Sequence, residues 1–479
     1  MALALDTASS TDPRPASGNG AHVDAPELRL FVMGLFFIFG GITSLNDVII
    51  PKLKELFTLN YTQAMLVQFC FFTAYLVIGI PGAKLVKKIG YMRGAVAGLL
   101  TMLVGCLLFI PASQNAIYEL FLLALFVLAS GVVIVQVVSN PLISLLGKPE
   151  TAHSRLTFAQ AFNSLGTTLF PLVGAGLILG TIANVSAEDL TGPALAAYQT
   201  AESQAIVNGY LGIAVALAVV AAAVWMFRNR LPHDAATMSG GELVRLPRYL
   251  AGLALIIGGA LVATGVNSLI GLLLILLAPL VWLYGNDLLQ RRRFGFGALC
   301  IFLYVGAEVA IGSLIINYLA QDRVLGQPEA VIGWMVTLYW LAAMLGRFAG
   351  SLLMYLGISP GKLLAFNAVG AILLILISAN SSGGLAAYSL LAIGLMNSIM
   401  FPTIFSLASE KLGNRAADGS GIINVAIFGG AVVPVATGAL ADATGGNLAL
   451  ALALPALCYA VIAAYGIYAR RPASESPAA

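Results

Sequence analysis

Residues 28–50 read LRLFVMGLFFIFGGITSLNDVII, a run that is apolar apart from Arg29 near its start and Thr43, Ser44, Asn46 and Asp47 towards its end. About 20 such residues cross the hydrocarbon core of a bilayer as a helix, so this stretch reads as a membrane span carrying an acid. A carboxylate at the centre of a spanning helix costs roughly 2.5 to 3.5 kcal/mol on insertion scales, and a residue kept at that cost marks function. Binding and releasing a proton is the function that a lone Asp there supports. The other reading places Asp47 at an aqueous helix end, held by nearby backbone, if the helix runs on past Pro51 towards Phe57.

The same pattern repeats along the chain. Hydrophobic residues make up 59% of it and charged residues 9%, with a mean hydropathy of +0.94, which is the composition of a multi-pass membrane protein. Apolar windows predict six spans near 28–50, 62–83, 94–112, 116–146, 156–182 and 203–227. Six more fall near 297–320, 330–357, 361–379, 383–408, 418–441 and 447–469. The fold class expected is all-α, with two six-helix bundles at 28–227 and 297–469. A linker, 228–296, separates them and holds two shorter apolar stretches over 249–285 with a turn at Gly265–Ser268. Those stretches read as an inserted hairpin, giving 12 + 2 spans, or as a re-entrant or interfacial pair.

Lys and Arg in the short loops set the orientation. Lys84, Lys87, Lys88, Arg93, Lys148, Arg155, Arg228, Arg230, Arg245, Arg248, Arg291–Arg293, Lys411, Arg415, Arg470 and Arg471 share one side, against Lys52, Lys54 and Arg323 on the other. Both termini are therefore expected in the cytoplasm and the protein in the cytoplasmic membrane. Residues 1–27 and 470–479, polar and small, read as tails without a signal peptide pattern.

Other classes find little support. The four cysteines lie within expected spans with no paired spacing, and His22, His153 and His233 are scattered, so neither disulfide, metal nor cofactor is expected. The net charge of +3 comes without the basic patch that nucleic acid would need. An intramembrane enzyme would show a nucleophile and base or a His–Glu pair on a helix, and a membrane sensor would need a longer soluble segment than these loops supply.

The halves echo one another, as parallel transporter repeats do. Pro141 is followed by Arg155 and Asn163, and Pro402 by Arg415 and Asn424, with a Pro-to-Asn separation of 22 in both. Gln136 and Asn397 each precede their proline by five residues.

Several motifs resemble the fucose, galactose and glucose proton symporters of the major facilitator superfamily. They are Ser44-Leu45-Asn46-Asp47-Val48-Ile49-Ile50-Pro51, Gln68-Phe69-Cys70-Phe71-Phe72-Thr73-Ala74-Tyr75, Ser139-Asn140-Pro141, the run Arg155–Gly166, Gly306-Ala307-Glu308-Val309 and Ser359-Pro360-Gly361-Lys362. The resemblance covers nearly the whole chain apart from the tails and the 249–285 stretch. Lys87 stands where the wider superfamily has an Asp, and a Lys there also fits this family.

The resemblance implies sugar symport with Asp47 as proton carrier. Burial favours the neutral form of a carboxylic acid and water the ionised form, so an acid exposed alternately to two media can carry a proton. Gln136 replaces a carboxylate of the fucose branch, which favours the glucose and galactose branch. It leaves coupling to Asp47, or gives the sugar an amide to bond, or bridges helices for about 0.6 kcal/mol. Gln160 and Asn163, three apart on one helix face, match positions that line the family's sugar site, with Asn46 beside Asp47 as a further ligand. Phe158 and Phe162 offer a face to a sugar ring or pack against each other. Glu308, the second intramembrane acid, couples protons, binds a hydroxyl or pairs with Arg347, itself within a span and read as a gating residue. Asn317, Asn397 and Asn424 are amides able to reach the cavity from the second half.

The function expected is proton-coupled import of a neutral hexose by a monomer, through alternating access at the bilayer midplane. The alternatives are a facilitative uniporter and a symporter for L-fucose or N-acetylglucosamine.

Overall fold

A computed structural model describes residues 26–56, 61–115, 117–178, 192–229, 287–327 and 333–471. The expectations for residues 1–25, for the 249–285 hairpin and for 472–479 lie outside the described residues. Within α1 the side chains beyond Ser44 are also outside them.

The described chain is helical throughout. The first half comprises α1 (Pro26–Leu56), α2 (Tyr61–Ile89), α3 (Tyr91–Gln114), α4 (Tyr118–Leu145), α5 (Ala152–Ile178) and α6 (Pro193–Met226). The second comprises α7 (Arg292–Ala320), α8 (Val336–Tyr355), α9 (Pro360–Asn380), α10 (Gly383–Asn397) with α11 (Met400–Ala408), α12 (Ala416–Ala426) with α13 (Gly429–Ala443), and α14 (Leu448–Ala451) with α15 (Ala453–Tyr468). Among the described residues ten helices are long and apolar enough to cross a membrane, and α1 adds the shorter apolar run Leu28–Ser44. In apolar surroundings every backbone N–H and C=O needs an internal partner, and helices supply it.

Local chemistry fixes the boundaries. Pro193 and Pro360 open α6 and α9 at positions where a missing N–H is harmless. Gly90, at φ 86°, turns the chain between α2 and α3 in one residue, a backbone conformation that a side chain would strain. Pro402 lacks the N–H that would bond the carbonyl of Ser398, and there α10 gives way to α11.

Inside the first half α3 packs on α4 and α6, α1 on α5 and α2 on α4; inside the second α9 lies on α15, α7 on α13 and α15, and α8 on α10. The halves meet reciprocally: α2 crosses α12, and α5 crosses α8. At the first crossing a Cβ on Gly79 would lie 2.7 Å from the Gly421 carbonyl oxygen, and one on Gly421 2.6 Å from that of Gly79. Two glycines let these backbones touch, the small-residue packing that holds membrane helices together without a hydrophobic driving force.

Candidate functional site

The helix ends that carry the basic loops are clamped across the halves by charge. Lys87 of α2 donates to Asp418 of α12 at 2.8 Å. Arg415 approaches Asp418 at 3.6 Å and also binds Asp287, just before α7. The Arg415 guanidinium beside Asp287 holds that carboxyl below the usual carboxylate range, against a smaller opposing effect of burial. On the other crossing His153 lies 2.7 Å from Ser406 and 3.3 Å from Glu410, which Arg293 bonds at 2.6 Å. Ser154 and Ser351 exchange hydroxyl-to-carbonyl hydrogen bonds, each 3.0 Å.

One step deeper sits Arg347, 9% exposed. Its Nε donates to the Ser398 carbonyl at 3.0 Å, the carbonyl that Pro402 leaves without a helical partner. Its Nη1 donates across the interface to the Gln160 carbonyl at 3.1 Å and to the Ser164 hydroxyl. An intramembrane guanidinium is thus satisfied by oxygens of both halves. The Glu308–Arg347 ion pair, one of the readings above, is not formed: Glu308 accepts from Tyr304 at 2.8 Å instead.

Around the arginine lie amides and tyrosines. Gln136 Nε2 donates to the Tyr75 hydroxyl at 3.1 Å, and Asn397 Nδ2 to the Tyr339 hydroxyl at 2.7 Å. The echo between Gln136 and Asn397 therefore has a structural counterpart, an α4–α2 pair in one half and an α10–α8 pair in the other. The Tyr304 hydroxyl also lies 3.1 Å from the Asn397 backbone carbonyl, its one proton shared between that oxygen and Glu308, which ties Glu308 to the second pair. Gln160 Nε2 donates to Asn140 at 3.3 Å, and Asn163 Nδ2 to the Phe36 carbonyl at 3.3 Å. Asn424 is turned onto its own helix, donating to Ser420 at 2.8 Å.

Counted from the basic ends of their helices, Arg347 and Gln160 lie eight residues in and Glu308 sixteen. At 1.5 Å per residue that is roughly 12 to 24 Å, around the middle of a hydrocarbon core about 30 Å thick. Asn317 is set apart, exposed nine residues beyond Glu308 on α7. Asn46 and Asp47 lie on α1, with side chains outside the described residues. Phe158 and Phe162 pack edge to face at 5.4 Å, and Phe158 meets Phe348 of the other half at 5.9 Å, so they serve the interface.

Polar atoms in this band remain open. Gln136 Oε1, Asn397 Oδ1, Asn424 Oδ1 and Asn140 Nδ2 are buried with no hydrogen-bond partner among the described residues. Nearly all buried polar groups in native proteins are paired, so atoms left open in this way need an explanation. Acceptors together with donors suit a polyhydroxylated neutral ligand.

Sequence reasoning did not single out Tyr75, Tyr304 or the clamp. Tyr304 carried a signal, four residues before Glu308 on the same helix face. Glu410 and Asp418, each at a span boundary in the sequence, bond residues of the opposite half.

A helical membrane protein whose two halves close on each other around a polar midplane band is built as a transporter. The Major Facilitator Superfamily model matches residues 32–433, and the chain belongs to that family. It is a membrane transporter rather than an enzyme. It is 46% identical to the "Glucose/galactose transporter" of Brucella abortus biovar 1 (strain 9-941), over 90% of this chain and 92% of the relative. It is 30% identical to the "L-fucose-proton symporter" of Escherichia coli (strain K12), over 95% of this chain and 97% of the relative. The crystal structure of the transporter FucP in the outward conformation superposes with a TM-score of 0.76 at 30% identity, covering 92% of this chain and 98% of that one.

Proposed function

We propose that the protein imports a neutral hexose of the glucose and galactose class together with a proton. The observation that carries this is the pair of amide–tyrosine contacts, Gln136–Tyr75 and Asn397–Tyr339, one from each half, each amide keeping a buried oxygen without a partner. Such oxygens accept from sugar hydroxyls. The relatives' substrates support the same class. Gln160, Asn163 and Asn424 extend the amide lining, with Asn46 and Asn317 at its margins. Asp47 carries the proton, Glu308 is the second candidate for coupling, and Arg347 is the gate that must release the Gln160 carbonyl before the basic end opens.

The moving bodies are residues 28–227 and 297–469, with 228–296 as the linker, working as a monomer. The basic ends face the cytoplasm, both termini lie there, and the membrane is the cytoplasmic one. In that orientation the conformer described is closed towards the cytoplasm, which agrees with its likeness to an outward-conformation relative.

Hexose uptake into proteoliposomes under an inward proton gradient tests the reading. Accumulation above the external concentration is expected, lost in Asp47→Asn while sugar exchange survives. Equal uptake with and without the gradient would instead support facilitation, a reading favoured by one feature: Gln136, an amide, cannot titrate.

A further inference from the structure

On the face of the second half away from the basic loops, α7, α9 and α15 enclose a groove of about 1180 Å³. Small-molecule pockets usually hold about 300 to 1,000 Å³ and enclose their ligand; this one is larger and opens sideways. Its walls are apolar, with Leu376, Leu450 and Leu457 half or more exposed along it. Its polar end is formed by Gln321, Asp322, Arg323, Asn380 and Asn447, of which Asp322 and Arg323, directly after α7, carry charge.

The two charges are set differently. Arg323 is fixed in place, donating to the Ala379 carbonyl and to the Tyr318 hydroxyl, each at 2.9 Å. A guanidinium has five N–H donors, so further donors stay available beside these two bonds. Asp322 is exposed and makes no hydrogen bond or ion pair with the described residues. A fixed cation next to an unengaged anion, at the water end of an apolar trough in a membrane-spanning body, is a template for a zwitterion with acyl chains.

We propose that this groove is a binding site for a phospholipid with a primary-ammonium headgroup, phosphate on Arg323, ammonium on Asp322 and acyl chains along α9 and α15. Charge complementarity selects the headgroup. An anionic lipid would meet Asp322 as a like charge, and a trimethylated ammonium offers the carboxylate no N–H to accept. Because α7 also carries Tyr304 and Glu308, the lipid would sit at the far end of a helix that reaches the transport band.

Native mass spectrometry of the delipidated full-length protein, titrated with phosphatidylethanolamine, phosphatidylcholine and phosphatidylglycerol of identical acyl chains, tests this. One ethanolamine lipid is expected to bind at least about fivefold more tightly than either of the others. Asp322→Asn, an exposed substitution that leaves the groove walls intact, should abolish the difference between ethanolamine and choline lipids. Leu376→Trp, which fills the trough, should weaken binding of all three, with the thermal unfolding midpoint showing that the variant is folded; Leu457→Trp serves the same purpose should it not be. Equal wild-type affinities, or a preference for the glycerol lipid that survives Asp322→Asn, would overturn the headgroup assignment. Unchanged binding in both tryptophan variants would reduce the groove to ordinary lipid contact and overturn the site.

Discussion

Asn397 is placed so that one side chain serves structure and, on the proposed function, ligand. Its Nδ2 satisfies the Tyr339 hydroxyl while its Oδ1 stays buried and unpaired. Asn397→Leu should therefore have two separable effects. Leaving the Tyr339 hydroxyl buried without a partner costs about 1 to 3 kcal/mol of stability, and loss of a sugar contact should raise KM about tenfold, equivalent to about 1.4 kcal/mol. Adding Tyr339→Phe removes the stranded hydroxyl, so the unfolding midpoint should recover while KM does not. Recovery of both would assign Asn397 to structure alone. Arg347 makes the complementary case. Lysine has a single point of charge where arginine offers a planar fork, and Arg347 bonds Ser398 on one side and Gln160 on the other. Arg347→Lys is expected to cut uptake about tenfold or more while leaving sugar binding within about threefold, measured by uptake and by ligand-induced fluorescence change. An equal loss in both would place Arg347 in the binding site instead of the gate.

At the scale of helices, most elements were legible because each is an apolar run bounded by basic, glycine or proline residues. The expected span near 94–112 appears as α3, Tyr91–Gln114, and that near 361–379 as α9, Pro360–Asn380. The expected single span 383–408 is divided at Ser398 and Ile399, where Pro402 returns no N–H to the Ser398 carbonyl. What a hydropathy pattern cannot carry is which helix touches which. Lys87 and Asp418 are 331 residues apart, so the sequence shows two boundary charges while the fold makes them partners. The same separation hid Arg347's true partners, which are carbonyls and a hydroxyl with no charge to attract notice. The clamp yields its own prediction. Lys87→Asp would set two carboxylates together between α2 and α12 and loosen the basic end. A cysteine placed at Ser351, buried at the interface, should then react with a soluble thiol reagent roughly fivefold faster, by the order of a partly buried ion pair of about 1 kcal/mol. Adding Asp418→Lys should restore part of the protection, and only part, because Arg415 also faces position 418. No acceleration in Lys87→Asp would show that glycine contact alone holds the crossing.

On the proposed function the whole molecule couples a proton to a sugar, and its titrating groups limit how. Asp287 has its folded-state pKa lowered by Arg415, so its ion pair contributes fully above the unfolded value of about 3.9 and is lost as pH falls through the lower, folded value. It stays ionised across roughly pH 5 to 8, and Asp287→Asn should leave the pH profile of uptake in that window unmoved, whereas Asp47→Asn should flatten it. A shifted profile in Asp287→Asn would bring the clamp into the coupling. The stoichiometry is sharper still. With an amide at Gln136 in place of a second carboxylate, one proton accompanies each sugar if Asp47 alone carries it. One charge moving through 100 mV supplies about 2.3 kcal/mol, enough for accumulation of about fiftyfold at 1.4 kcal/mol per decade. Two charges would square that to about 2,500-fold. The reversal potential of sugar-driven current in proteoliposomes separates the cases: a tenfold sugar gradient should be balanced at about 60 mV for one proton and about 30 mV for two. A value near 30 mV in the wild-type protein would mean that Glu308 titrates alongside Asp47, and Glu308→Gln should then return it to about 60 mV.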